Sequence, residues 1–349
     1  MKRQTHSNQA PRDSRPPPRW WDMRCAVFTP LFLALSIVLA LAAPFAHAAD
    51  KVAICYGAVS SALVPLAKQR DFYTAEGLDM DVHLFPSGRQ ALEAMLAGEC
   101  ELSAAAETPV THYSLARNDF RIIASISISK SFERVVVRTD RGIVTPADLR
   151  GRRIAVAQFT GAHYFLDTFL VANGLMPQDV SKVYLPAQEV VPAFLRGDVD
   201  AITHWEPNIH NAATALGTKA KVFVAPGVHV SPFLLVGRYE YVRKNPVSIE
   251  RILRALLSAE RFAREQPANA KALVARNYTA SPDEIELIWL LFEFRVSLGQ
   301  TLPFILENSA RWEIGLMPPA QRPAMPNYLD FIYIDGLLAV KPAAVTLIH

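Results

Sequence analysis

One local event recurs along this chain: a short run of β-forming residues stops at a small or hydroxylated residue, and a helical pattern starts at once. The clearest instance is residues 154–157, an apolar run bounded upstream by Gly151 and two arginines. It reads as a buried parallel strand. Thr160-Gly161-Ala162 then turns the chain into an apolar helical segment that stops at Asn173-Gly174, the place for a left-handed glycine cap. A junction of this kind leaves backbone N–H groups free at the positive end of a helix dipole, where they suit an anionic or strongly polar small ligand.

The same event is legible elsewhere. Residues 51–56 read as a first strand, and Ser60 or Ser61 caps a helix from Ala62 to about Arg70. A strand within residues 76–85 leads to Pro86-Ser87-Gly88 and an amphipathic helix over 89–97, capped by Ser87 and closed by Gly98. Residues 101–106 form a small-residue strand, after which Thr108 caps the next helix with Pro109 at its first position. Residues 121–128, 134–138, 182–185, 199–203, 221–224 and 233–236 are further strands, with a helix over 190–196, and residues 199–203 deliver His204-Trp205-Glu206-Pro207. Strands alternating with helices at this spacing predict an α/β fold with open, mostly parallel sheets. From about residue 246 to 277, and again from 281 to about 298, the pattern is helical, so the fold class is α/β with a helical C-terminal part.

Two α/β blocks therefore stand in series. If 134–138 and 233–237 are crossing strands, residues 136–235 form an inserted second lobe. Residues 49–135 and 236–349 form the first. A cleft between two such lobes is the default place for a small ligand.

With 349 residues, the chain has room for two domains. Its net charge of +3 is partly carried by Lys2, Arg3, Arg12, Arg15, Arg19 and Arg24. The remainder is near neutral, which argues against a nucleic-acid partner. Residues 1–48 read as a signal peptide: a basic opening, an apolar run from 26 to 43, and Ala46-His47-Ala48 as the cleavage pattern. Met23 is an alternative start, and an uncleaved membrane anchor is the competing reading of the apolar run. Cys55 and Cys100, the two cysteines left after cleavage, read as buried small hydrophobes rather than as a disulfide.

Five motifs in order carry a family resemblance: Tyr73-x-x-Glu76-Gly-Leu-Asp79, Gln90-Ala-Leu-x-x-x-Leu-Ala-Gly-Glu99, Ala147-Asp-Leu-Arg-Gly-Arg-Arg-Ile-Ala-Val156, Thr160-Gly-x-His163, and Gly197-Asp-Val-Asp-Ala201 running into Trp205-Glu-Pro207. Through them the chain resembles the nitrate/sulfonate/taurine-type substrate-binding proteins of ABC importers, a family that also covers proteins binding thiamine-pyrimidine precursors. The resemblance implies a periplasmic-binding-protein type II fold, two α/β lobes joined by two crossover strands and closing like a hinge on a small organic anion or zwitterion. It also implies a monomer in the periplasm, an ABC permease and ATPase in the inner membrane as partners, no cofactor and no enzymatic step. A thiamine-precursor binding protein or synthase-like relative, or a ligand-sensing module, is the alternative.

The candidate ligand contacts are the loop ends already found: Ser60, Ser61, Ser87, Gly88, Thr108, Thr160, Gly161, His163, Trp205 and Glu206. Taken singly, Ser87 and Thr108 read as helix caps. Trp205 offers a stacking face, and Glu206 a carboxylate for an amine on the ligand. Glu107 and Arg89 depart from the small residues that often line such a cleft. The spacing of His163, His204, Glu206 and His210 matches no standard metal motif, and none is assigned.

Overall fold

A computed structural model describes residues 50–348, and in them the β-to-α alternation builds two mixed sheets. The leader, with its apolar run and cleavage pattern, lies outside the described residues. The chain enters on β1 (Asp50–Tyr56), α1 (Leu63–Gln69), α2 (Phe72–Ala75), β2 (Leu78–Leu84), α3 (Gly88–Ala97), β3 (Leu102–Ala106), α4 (Glu107–Ser114) and β4 (Phe120–Ser129). It continues through β5 (Glu133–Arg138), β6 (Arg153–Val156), α5 (Gly161–Ala172), β7 (Ser181–Tyr184), α6 (Ala187–Arg196), β8 (Ala201–Trp205), α7 (Asn208–Leu216) and β9 (Ala220–Phe223). The last part is β10 (Ser231–Arg238), α8 (Tyr239–Lys244), α9 (Pro246–Glu265), α10 (Pro267–Tyr278), α11 (Pro282–Trp289), β11 (Phe292–Ser297), α12 (Leu302–Leu316) and α13 (Asp335–Val340).

The first sheet has the order β11-β4-β10-β3-β1-β2 and the second β7-β6-β8-β5-β9. The chain passes from the first to the second between β4 and β5, and returns between β9 and β10. The strands read as crossing strands, 134–138 and 233–237, are the ones on which it arrives. The two connectors lie side by side, with the Gly227 N–H donating to the Lys130 carbonyl at 2.8 Å. Each arriving strand is antiparallel to its neighbours: β10 to β3 and β4, β5 to β8 and β9.

Period-2 alternation divides the core. Val135 and Val137 of β5 join the large cluster, while Val136 joins a smaller one with Phe194, Ile202 and Ile209 on the other face of the second sheet. Burying each such side chain contributes roughly 1.5–3 kcal/mol.

Several local expectations give way. Cys55 and Cys100 form a disulfide, with Cα atoms 5.9 Å apart. The cause is tertiary: β1 and β3 are parallel neighbours, and pairing Cys55 with Ser103 brings Cys100, two residues before β3, alongside. Residues 281–298 are not one helix. Phe292, Phe294 and Val296 alternate with Glu293 and Arg295, and this segment becomes β11, an edge strand antiparallel to β4. The long helix over 246–277 is two, α9 and α10, each with proline at its first position. Helix α4 begins two residues early, with Ala106 flanking it and no side-chain cap, so Thr108 lies inside the first turn.

Candidate functional site

The β-to-α junctions of both sheets meet around a cavity of about 40 Å³. A single water needs about 10–15 Å³ measured in this way, so the space admits a small molecule rather than one solvent atom. The first sheet contributes Ser60 and Ser61 after β1, Ser87 and Gly88 at the start of α3, and Ala104 and Ala106 of β3. The second contributes Thr160 and Gly161 at the start of α5, and Trp205 at the end of β8. Phe132, Glu133 and Phe233, at and beside the connectors, complete the wall together with Arg89.

Glycine at position 57 lets β1 and α3 approach. A Cβ there would stand 2.3 Å from the Gly88 amide nitrogen, so any side chain would push the α3 terminus away. Ser87 caps α3: its oxygen accepts from the Gln90 N–H at 3.2 Å and its hydroxyl donates to Gln90 Oε1 at 3.1 Å. Ser60 and Ser61 differ. They are 2% and 1% exposed, and neither hydroxyl has a hydrogen-bond partner among the described residues. Both residues line the cavity, so their hydroxyls are open to whatever occupies it. Two of them on one cavity wall mark where a polar ligand belongs.

At α5 the hydroxyl of Thr160 donates to the Ala157 carbonyl at 2.7 Å and does not cap the helix. The carboxylate of Glu133 stands there instead. A Cβ at Gly161 would lie 2.6 Å from Glu133 Oε1, so a side chain there would displace the Glu133 carboxylate. The register explains the position of Glu133: it pairs directly with Trp205 across β5 and β8, so both side chains leave the sheet on the cavity side. The same alternation turns Glu206 away.

Glu133 belongs to a buried cluster. His229, in the returning connector, places Nε2 at 2.8 Å from Glu107 Oε1 and Nδ1 at 3.4 Å from Glu133 Oε2. Glu107 also accepts from the Thr108 hydroxyl at 2.6 Å and the Ser231 hydroxyl at 2.9 Å. Burial alone would push the Glu107 pKa up, but His229 and these hydroxyl donors outweigh it and hold the group below the usual carboxylate range. For His229 burial works downward, and the two carboxylates override it and raise the imidazole to about 10. At neutral pH Glu107 and His229 thus form a buried ion pair, with the Glu133 carboxyl group beside it.

Arg89 closes the rim. Its Nη1 donates to the Gln158 carbonyl at 2.5 Å, tying the start of α3 to the loop before α5, and its Nε donates to Glu93 at 2.9 Å. Phe159 in that loop takes a left-handed φ of +54° and stacks its ring on His112 with centroids 4.3 Å apart. A bulky residue in that conformation costs of order 1–3 kcal/mol, which the stacking helps to offset.

Three candidate contacts do not reach the cavity. Thr108 is buried, with its hydroxyl spent on Glu107. His163 lies under Tyr184 and Trp312, its Nε2 3.2 Å from the Tyr184 hydroxyl. Glu206 accepts from Arg134 Nη1 at 2.8 Å and from the His210 N–H at 2.9 Å, so the amine-recognising role expected of it has no free oxygen to work with. In the sequence Glu107 and Arg89 stand out only as departures from the expected small residues, and Glu133, His229, Phe132 and Phe233 carry no local signal. The alternation of residues 133–137 against 201–205 was the one available signal, and it required knowing that those strands pair.

The buried histidines make stability pH-dependent. Burial, reinforced by the Lys182 charge against the opposing pull of Asp167, holds His163 at about 4. His204 is likewise held at about 4 by burial, despite hydrogen bonds to Ala187 and Trp205. Both are neutral in the fold, whereas the unfolded chain takes up their protons below about pH 6.5. Stability therefore falls between pH 6.5 and 4, by up to about 1.4 kcal/mol per pH unit for each histidine. His229 acts in the opposite direction: its contribution is complete below about pH 6.5 and is lost as pH rises toward 10. Urea titrations across pH should give a maximum near neutrality. A curve still rising at pH 9 would contradict the paired His229.

Two α/β sheets joined by two connectors, with helix starts from both facing one cavity, define a two-lobed binding-protein fold of the type II kind, with a helical C-terminal part. The chain belongs to the NMT1/THI5 like family, which it matches over residues 60–270. It is 26% identical over 260 residues to the taurine-binding periplasmic protein of Escherichia coli (strain K12), covering 72% of this chain and 73% of that one. It is 28% identical over 192 residues to a second protein of that strain named for binding aliphatic sulfonates, covering 55% of this chain and 60% of that one, less than two thirds of the relative's length. In fold it matches the alkanesulfonate-binding protein SsuA from Xanthomonas axonopodis pv. citri bound to MOPS, with a TM-score of 0.69 at 22% identity over 82% of this chain and 98% of that one. The desulfurization enzyme DSZB also shares the fold, with a TM-score of 0.61 at 18% identity over 84% of this chain and 99% of that one.

Proposed function

We propose that the chain is a periplasmic solute receptor that holds a small organic anion or zwitterion of the sulfonate type between its two lobes and delivers it to an ABC permease. The observation that carries this reading is the pair of hydroxyls of Ser60 and Ser61, which have no hydrogen-bond partner among the described residues and lie on the same small cavity as the start of α3. Hydroxyls and backbone N–H groups at a helix start hold an anion by oriented dipoles, without a full counter-charge. Such a cage binds firmly yet lets the ligand go when the lobes part, which suits a carrier.

The relatives named for sulfonate and taurine binding support the same class of ligand.

Titration calorimetry of the purified protein tests the reading. Taurine or a short alkanesulfonate should bind, whereas nitrate and aminopyrimidines should not. Ser60→Ala and Ser61→Ala should each weaken binding by about tenfold, as expected for a hydroxyl bonded to a charged group at about 1.5 kcal/mol. Sulfonates that release no heat, or serine variants that bind like the parent, would overturn it.

A further inference from the structure

The cavity wall is not electrically neutral. Glu133 is 4% exposed and lines the cavity, yet its Oε1 has no hydrogen-bond partner among the described residues. The His229 imidazolium lies closer to Glu107, at 2.8 Å, than to Glu133, at 3.4 Å. One imidazole thus serves two carboxyl groups, and the uncompensated negative potential falls on the less closely paired one, which looks into the cavity. The α5 terminus offsets part of it, with the equivalent of about half a positive charge. Arg89 does not complete the balance, since its guanidinium is engaged by Glu93 and the Gln158 carbonyl.

A simple sulfonate would bring a further negative charge beside Glu133. At close range in a poorly solvated site that repulsion is only weakly screened. A ligand with a cationic nitrogen turns the same charge into an attraction, and it supplies the donor that Glu133 Oε1 lacks. The polar groups are divided to match, with the free hydroxyls of Ser60 and Ser61 on the first-sheet side and Glu133 on the second.

We infer that the ligand is a zwitterion, an aminoalkanesulfonate, and that Glu133, fixed by the Glu107–His229 pair and the start of α5, is the residue that holds its ammonium. The inference rests on the sulfonate reading above and narrows it. Glu133 decides between ligands of one shape, admitting a cationic end and rejecting its neutral isostere.

Taurine and propane-1-sulfonate, in which a methyl group replaces the ammonium, make the test. The purified parent protein should bind taurine at least about tenfold more tightly than propane-1-sulfonate. In Glu133→Gln that preference should disappear, with taurine weakened and propane-1-sulfonate unchanged or tighter; retained propane-1-sulfonate binding also reports that the variant is folded. Equal or tighter binding of propane-1-sulfonate by the parent overturns the inference while leaving the receptor reading intact. So does a Glu133→Gln variant that keeps the taurine preference. If the parent binds neither compound, both readings fall. The parent comparison alone decides the matter if the variant does not fold.

Discussion

Replacing His229 by leucine is expected to cost about 3–5 kcal/mol of stability, the largest single-residue effect in the protein. The substitution leaves Glu107, fully buried, without its counter-ion. The hydroxyls of Thr108 and Ser231 still donate to the carboxylate, but two neutral donors do not replace a charge in a dry site. The loss should couple strongly to its partner. Glu107→Gln combined with His229→Leu should recover a large part of what His229→Leu loses, because the second change removes the stranded charge. Urea unfolding of the two single variants and the double variant measures this cycle. A loss below about 1 kcal/mol for His229→Leu, or strict additivity in the double variant, would show that the buried pair does not hold the connector to the first sheet.

Removing the disulfide should cost nearly as much. Cys55 and Cys100 close a loop with a sequence separation of 45. On the chain-entropy account, a cross-link over that span stabilises the fold by about 4 kcal/mol. The bond also joins β1 to the entry of β3, the two strands whose far ends deliver Ser60, Ser61 and the start of α4. The expected result for Cys55→Ser with Cys100→Ser is a protein that keeps its ligand specificity and unfolds at markedly lower urea. Matching urea midpoints for the double variant and the oxidised parent would count against the bond as a stabilising element.

Much of this architecture was legible in the residue pattern, and for a physical reason. A β-to-α junction is local: the apolar run at 154–157, the glycine after Thr160 and the hydroxyl of Ser87 announce themselves within a dozen residues. Seven of the ten candidate contacts line the cavity because junctions at the same end of parallel strands must face the same side.

What escaped is what depends on pairing between distant strands. Glu133 opens a strand and reads as its polar boundary. Only its register opposite Trp205 sends it into the cavity. Glu206 follows Trp205 and therefore points to the other face, toward Arg134. His229 lies in a connector with no pattern of its own, yet it neutralises Glu107 from 122 residues away. Residues 292–297 read as helical in the sequence because their alternation is short, and β4 makes them a strand.

The central claim is that a small sulfonate sits inside the cavity formed by the helix starts of both sheets. The most direct measurement is the crystallographic position of the ligand's sulfur in protein crystallised with taurine, located from its anomalous scattering. The account predicts that sulfur between the hydroxyls of Ser60 and Ser61 and the start of α3, with the nitrogen on Glu133. A sulfur bound elsewhere on the molecule at saturating taurine, or a cavity that stays empty of it, would contradict the account.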